Sequence, residues 1–364
     1  MIDIKWESLR ERIGTSPVMG YKPGQPIVVF CAGDRGKFAM RTLRDRGLNV
    51  VAFCDDDQKK WGTEFYNLPV VPSYAVEDMK PDPFVVVAVE TTEKQEAILK
   101  RLDFMQLDAA SVGDFVYPEV MDRIDAVYHS LADERSREVL YHVLLAHYEQ
   151  DKRHFQSIFE DRQYWCMGFL ENTADHVFID AGAYTGDTME DFVRRTHGKF
   201  HEIISFEPTK SLFKNVEERK AFLSQRWGLQ DWQLTPIYGG VGEIDCEMPL
   251  IIKDSDANGA GNSFYDIAER TGETVHVYSL DAFLKGDRVS FIKADIEGFE
   301  LEMLKGAKET IQLWKPDLAI CVYHKTSDIY EIPEYIKNLV PEYKLYLRHH
   351  HDDYSETVLY ATVL

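Results

Sequence analysis

The chain has 364 residues, 45% of them hydrophobic and 28% charged, and its 62 acidic residues against 41 basic ones give a formal net charge of −21. That length exceeds one average domain of roughly 100–200 residues and predicts two units, each able to bury a core. The negative balance repels a phosphate backbone, so nucleic acid is not an expected partner. No apolar run reaches the roughly 18 residues of a membrane-spanning helix, and no membrane association is expected.

The opening segment, Met1–Gly14, is charged where a secretory signal would be apolar, so a cytoplasmic location is expected. The cysteines, Cys31, Cys54, Cys166, Cys246 and Cys321, are odd in number and widely spaced, with no CxxC pair. Neither a disulfide framework nor a thiolate zinc site is predicted from them. Residues 26–117 alternate short apolar strands (PIVVFCAG, NVVAFCDDD, FVVVAVE) with helical stretches (KFAMRTLRDRG, KQEAILKRL). This β-α-β rhythm implies a parallel sheet, and a first Rossmann-like domain is expected over residues 1–117.

The stretch 118–170 has no glycine before Gly168 and no proline after Pro118, and Val139, Leu140, Val143, Leu144 and Tyr148 recur at helical spacing. It reads as a helical connector. Tyr164 and Trp165 at its end are read as core, the alternative being a place over a ligand. Over residues 171–364 the rhythm returns with HVFIDAG, EIISFEP, VSFIKADIEG, DLAICVYH, YKLYLRHH and ETVLYATVL. The last two form an antiparallel pair closed by the polar turn HDDYSE. The expected fold class is therefore α/β: two Rossmann-like units in tandem, the second a doubly wound sheet ending in an antiparallel hairpin.

The chemistry concentrates in the second unit. After the strand Val177–Ile179 come Asp180, Gly182, Ala183, Tyr184, Gly186 and Asp187, with Thr188 entering a helix. Glycines there permit a tight turn and close approach of main chain to a ligand, with helix N-terminal amides facing it. Glu207 ends the next strand, about 20 residues beyond the glycine loop, where Rossmann-type sites place the carboxylate that binds ribose hydroxyls. Tyr184 occupies a place that a dinucleotide fingerprint keeps small for its pyrophosphate, which favours S-adenosylmethionine over a nicotinamide.

Further along lie SLDAFL (Ser279–Leu284) and KADIEGFELEMLKGA (Lys293–Ala307). Together with DAGAYTGDT and FEP they make the chain resemble the FkbM-type methyltransferase family over roughly residues 120–364. The resemblance implies S-adenosylmethionine as methyl donor and, usually, an acceptor oxygen on a sugar, polyketide or related metabolite. Members that methylate peptide side-chain nitrogens also exist. The expected cofactor contacts are Asp180, Gly182, Ala183, Tyr184, Gly186, Asp187, Thr188, Glu207, Gly240 and Asp295. Residues 26–90 resemble the small nucleotide-binding domain that precedes some sugar-modifying transferases. Its loop has Cys31 in place of the first glycine, and the unit is read as a scaffold or acceptor-recognition module whose nucleotide site has lapsed.

Ligands of open α/β sheets sit beyond the carboxyl ends of the strands, which puts Asp295, Glu297 and His324 near one crevice as the catalytic candidates. His324, with an ordinary pKa near 6.5, could act as general base toward a hydroxyl, the alternative being a histidine that hydrogen-bonds the sheet edge. Two carboxylates and an imidazole could hold a divalent metal, but spacing does not predict one. His349, His350 and His351, followed by Asp352 and Asp353, are read as a solvated turn, the alternative being that one of them lines the acceptor pocket, and Asp254–Phe264 is read either as a lid over cofactor or acceptor or as disorder without function. The leading reading is methylation of a hydroxyl on a sugar, glycan or natural-product metabolite. Methylation of peptide amide nitrogens, a non-catalytic nucleotide-binding protein and a nicotinamide oxidoreductase are the alternatives. The acceptor is a small molecule, glycan or peptide, and the long helices offer surfaces for a homodimer.

Overall fold

The computed structural model describes residues 2–14, 18, 20–168, 173–252, 262–264 and 270–363. The chain forms two compact units, one of Met1–Ser130, Glu134–Phe159 and His351–Tyr354, the other of Leu131–Asp133, Glu160–His350 and Ser355–Leu364. Among the described residues, no helix is long and apolar enough to cross a membrane.

The first unit contains β1 (Ile27–Phe30), β2 (Val50–Asp55), β3 (Glu64–Phe65), β4 (Leu68–Pro72), β5 (Phe84–Val87) and β6 (Ala109–Ser111), in the order β3-β4-β2-β1-β5-β6. All neighbours are parallel except β3 and β4. The runs IVVF and FVVV are buried along their whole length, as central strands of a parallel sheet must be. At the expected nucleotide loop, the strand-end Asp55 accepts from the Ala32 amide (2.9 Å) and the Lys60 ammonium (2.8 Å). The acid that would face a ribose is thus engaged by its own chain.

The stretch expected as a connector is not a separate piece. Its helices Met121–Ser130 and Glu134–Glu149 belong to the first unit, because their apolar stripes need a partner and the helix Ile2–Ile13 supplies one. Trp6, fully buried, stacks on Tyr128 with ring centroids 4.1 Å apart and donates its indole N–H to Asp125 at 2.8 Å.

In the second unit, β7 (Val177–Ala181), β8 (Glu202–Glu207), β9 (Leu234–Tyr238), β13 (Phe291–Ala294), β14 (Asp317–Cys321), β15 (Lys344–His349) and β16 (Thr357–Thr362) make a sheet ordered β15-β16-β14-β13-β7-β8-β9. Six strands run in one direction and β16 is antiparallel to both neighbours, as the hairpin pattern predicted. A smaller sheet of β10 (Gly240–Gly242), β11 (Cys246–Ile252) and β12 (Arg270–Ser279) was not legible in the strand pattern. The chain winds outward from β7 in one direction through β8 and β9, and from β13 in the other. That reversal opens a crevice beyond the carboxyl ends of β7 and β13. Phe178 and Phe291 stack at 4.9 Å across these two strands, and Phe192 from the helix Asp187–Arg195 packs on Phe178 at 4.9 Å. Trp165 closes this aromatic core, whereas Tyr164 beside it reaches the crevice.

The histidine run departs from the expected solvated turn. His349 is fully buried with Nδ1 2.9 Å from Thr357 Oγ1, and buried His350 lies between the Glu160 carbonyl (2.6 Å) and the Tyr360 hydroxyl (2.9 Å). Only His351 is exposed, pairing with Asp352 and Asp353. The pattern placed the strand end too early: His349 completes β15, and His350 still has the core beneath it.

Trp6→Ala removes the one indole that ties the 121–149 helices to the N-terminal helix. It is expected to destabilise the protein by about 3–5 kcal/mol. Urea unfolding followed by circular dichroism should show this as a lowered midpoint; an unchanged midpoint would deny Trp6 that role.

Candidate active site

Beyond β7 the chain turns sharply through Gly182 (φ +83°) and Gly186 (φ +79°), both in the left-handed region that glycine adopts without strain. At Gly182 the requirement is also steric, since a Cβ would lie 1.9 Å from the Asp295 carbonyl oxygen. The loops after β7 and β13 therefore touch backbone to backbone. Gly186 caps the helix Asp187–Arg195, whose first-turn amides face the crevice with Asp187 and Thr188 at its rim.

A buried ion pair holds this turn from below. Lys293 on β13 donates to the carbonyls of Gly182 (2.6 Å) and Ala181 (3.3 Å), and its ammonium lies 3.2 Å from Asp180 Oδ1 on β7. Both side chains are essentially inaccessible to water. Burial pushes the Asp180 carboxyl up to about 6, even though Lys293 opposes the shift. Burial alone would lower the Lys293 pKa, but Asp180 and Asp295 raise it, so the ammonium keeps its proton. Asp180 thus acts through Lys293 and does not itself reach the crevice.

Glu207 ends β8 with its carboxylate accepting from the amides of Tyr184 (2.9 Å) and Thr209 (2.8 Å). It fixes the glycine turn while facing the cavity. Burial raises its carboxyl to about 7, against the pull of those amides.

Across the crevice, Asp295 accepts hydrogen bonds from the hydroxyls of Tyr164 and Tyr323, both at 3.1 Å. Burial would raise its pKa, but the charges of Lys293 and His324, helped by the two hydroxyls, hold it below the usual carboxylate range. Glu356, carried in by the turn between β15 and β16, accepts from Gln163 and from Tyr323 at 3.4 Å. Its carboxyl is raised by burial and by the charge of Asp295.

His324 corrects an expectation. Its Nδ1 lies 2.9 Å from Glu300 Oε1, and its Nε2 lies 3.5 Å from Asp295 Oδ1 and 3.8 Å from Glu297 Oε1. Burial would lower its pKa, but Glu300, Glu297 and Asp295 raise it to about 10. An imidazole so surrounded holds its proton tightly, which makes it a poor general base in this arrangement. It also stands behind the cavity wall.

The cavity itself measures about 300 Å³. Of the residues expected at the cofactor, Gly182, Tyr184, Asp187, Thr188, Glu207, Gly240 and Asp295 line it, with Glu297. Asp180, Ala183 and Gly186 instead shape the turn: the Ala183 amide bonds the Phe206 carbonyl at 2.9 Å and the Gly186 amide that of Ala183 at 2.7 Å. Gln163, Tyr164, Lys293, Tyr323 and Glu356 also line the cavity and were not among the expected site residues. A lysine inside the apolar strand VSFIKA was the one local signal for them. Of the expected lid Asp254–Phe264, only Asn262, Ser263 and Phe264 lie within the described residues, and all three line the cavity.

With this geometry established, known proteins add context. Residues 180–354 match the methyltransferase FkbM domain. Among solved structures, the chain is similar to a methyltransferase FkbM from Methylobacillus flagellatus KT, at 20% identity over 99% of each chain with a TM-score of 0.61. Fainter likenesses include M. capricolum TrmK in complex with S-adenosyl-homocysteine (11% identity, 52% of this chain and 62% of that one, TM-score 0.32). An Aquifex aeolicus SAM-dependent methyltransferase is similar at 12% identity over 54% of this chain and 86% of that one, with a TM-score of 0.31. Among curated proteins none matches the chain significantly.

The buried pair beneath the turn makes a double-substitution prediction. Lys293→Met leaves Asp180 without its counter-charge and is expected to cost about 3–5 kcal/mol of stability. Adding Asp180→Asn should recover part of that loss, because the stranded charge is gone. Chemical denaturation of the two single variants and the double variant reads the coupling; strictly additive losses would contradict it.

Proposed function

Since residues 180–354 belong to the FkbM methyltransferase family, we propose that this chain transfers the methyl group of S-adenosylmethionine to a hydroxyl of a sugar, glycan or natural-product metabolite. The observation that carries the reading is the placement of Glu207. A carboxylate at the end of β8 shares one cavity with the glycine turn and a helix N-terminus, the three contacts that a ribose and an amino-acid end require together. The charge of the cavity agrees. Asp187, Glu207, Asp295, Glu297 and Glu356 line it, and Lys293 is already committed to Asp180. Such a surface suits a cofactor that carries a sulfonium and an ammonium.

Methyl transfer from a sulfonium is an in-line displacement, so its rate rests mainly on holding the acceptor oxygen, methyl carbon and sulfur in line. Asp295, fixed by two tyrosine hydroxyls, presents an ionised carboxylate from the loop after β13. It orients an acceptor hydroxyl by accepting its hydrogen bond. Glu356 carries the better base, because burial and the Asp295 charge raise its affinity for the proton that the hydroxyl releases.

Calorimetric titration with S-adenosylhomocysteine tests the reading. One molecule should bind per chain, and Glu207→Gln should weaken binding by roughly tenfold or more through loss of a charged acceptor. Because the Glu207 carboxyl titrates near 7, affinity should rise between pH 6 and pH 8 in the native protein and stay flat in Glu207→Gln. Absence of binding in the native protein would overturn the reading.

A further inference from the structure

Behind the cavity wall, the loop after β13 and the segment after β14 bring Asp295, Glu300 and His324 together, one donor atom of each lying within 4.8 Å of the others. The His324 side chain is only 8% exposed, yet among the described residues neither of its ring nitrogens has a hydrogen-bond partner. Glu300 is fully buried: its Oε1 accepts from the Ile296 amide at 2.8 Å, while Oε2 has no hydrogen-bond partner. A buried polar atom left unsatisfied costs about 1–3 kcal/mol, and native interiors that keep one usually have a use for it. Here three such atoms belong to two side chains that touch, with Nδ1 of the imidazole 2.9 Å from the Glu300 carboxylate.

Carboxylates crowd this imidazole: Asp295, Glu297 and Glu300 each bring an oxygen within 3.8 Å of a His324 ring nitrogen, an environment that attracts a divalent cation. Metal–ligand bonds of about 2.0–2.3 Å put ligand atoms roughly 3–4.6 Å apart, so the observed grouping needs only a slight contraction.

We infer that Asp295, Glu300 and His324 form a binding site for one divalent transition-metal cation, with Glu297 beside it on the cavity side. Two carboxylates and an imidazole suit manganese, iron or zinc, whereas calcium and magnesium prefer oxygen alone. When bound, the cation would supply Lewis acidity next to the acceptor, a consequence that rests on the methyl-transfer reading; the site itself does not.

The test uses full-length protein, treated with a chelator, dialysed and titrated with manganese chloride, followed by calorimetry and pulsed electron paramagnetic resonance. The expected result is one Mn²⁺ per chain, with nitrogen hyperfine coupling from an imidazole. Affinity should fall about tenfold or more in His324→Gln and in Asp295→Asn. It should be unchanged in His276→Gln, whose half-exposed imidazole also lies near two carboxylates, 3.0 Å from Glu247 and 3.5 Å from Asp245. No uptake at millimolar manganese, uptake without nitrogen coupling, or equal uptake by Asp295→Asn would each overturn the site. The coupling is read in the native protein, so the test holds even where a variant does not fold. A parallel titration of the same sample with S-adenosylhomocysteine separates failure of this site from failure of the cofactor reading.

Discussion

The arrangement of the C-terminal unit depends on a lysine buried between two parallel strands. Lys293 stands in an apolar run of β13, where an ammonium without a counter-charge would be prohibitively costly to desolvate. Asp180 on β7 supplies the counter-charge at 3.2 Å, and the two carbonyls that follow Asp180 take up further protons of the ammonium. Those carbonyls belong to the glycine turn. The same interaction therefore neutralises the pair, clamps β13 to β7 at their carboxyl ends and fixes the loop on which a ligand would rest. The missing Cβ of Gly182 is part of the same constraint, since it lets that loop close on the Asp295 backbone.

From this anchor the acidic side chains around the cavity acquire different characters. Glu207 is desolvated and held by backbone amides, so its carboxyl titrates near neutrality. Asp295 sits between a lysine, an imidazolium and two phenol hydroxyls and stays ionised. Glu356 shares a tyrosine with Asp295, and burial and the Asp295 charge raise its proton affinity. Residues of one chemical type thus come to differ in proton affinity through their surroundings alone.

Much of this was legible in the sequence, for identifiable reasons. The β-α-β rhythm, the Gly182 and Gly186 turn, the strand-end Glu207 and the closing hairpin are local patterns, set by two-residue alternation and by glycine conformation. What escaped is long-range. Tyr164 bonds Asp295 across 131 residues and Gln163 bonds Glu356 across 193, so no window of sequence contains either pair. The surroundings of His324 escaped the sequence because Glu300, which the motif places on a helix, lies against the imidazole in the fold and raises its proton affinity together with Glu297 and Asp295, against the effect of burial. The 118–170 stretch looked like a connector because its helices are amphipathic; their partner, Trp6, lies more than a hundred residues away.

The central claim is that the glycine turn, Glu207 and Asp295 frame one S-adenosylmethionine site. A crystal structure of the protein with S-adenosylhomocysteine tests it most directly. Ribose hydroxyls are expected within hydrogen-bond distance of Glu207, the amino-acid end over the first turn of the helix Asp187–Arg195 and the sulfur facing Asp295. A ligand bound elsewhere in the chain, or seated in this cavity with its ribose turned away from Glu207, would contradict it.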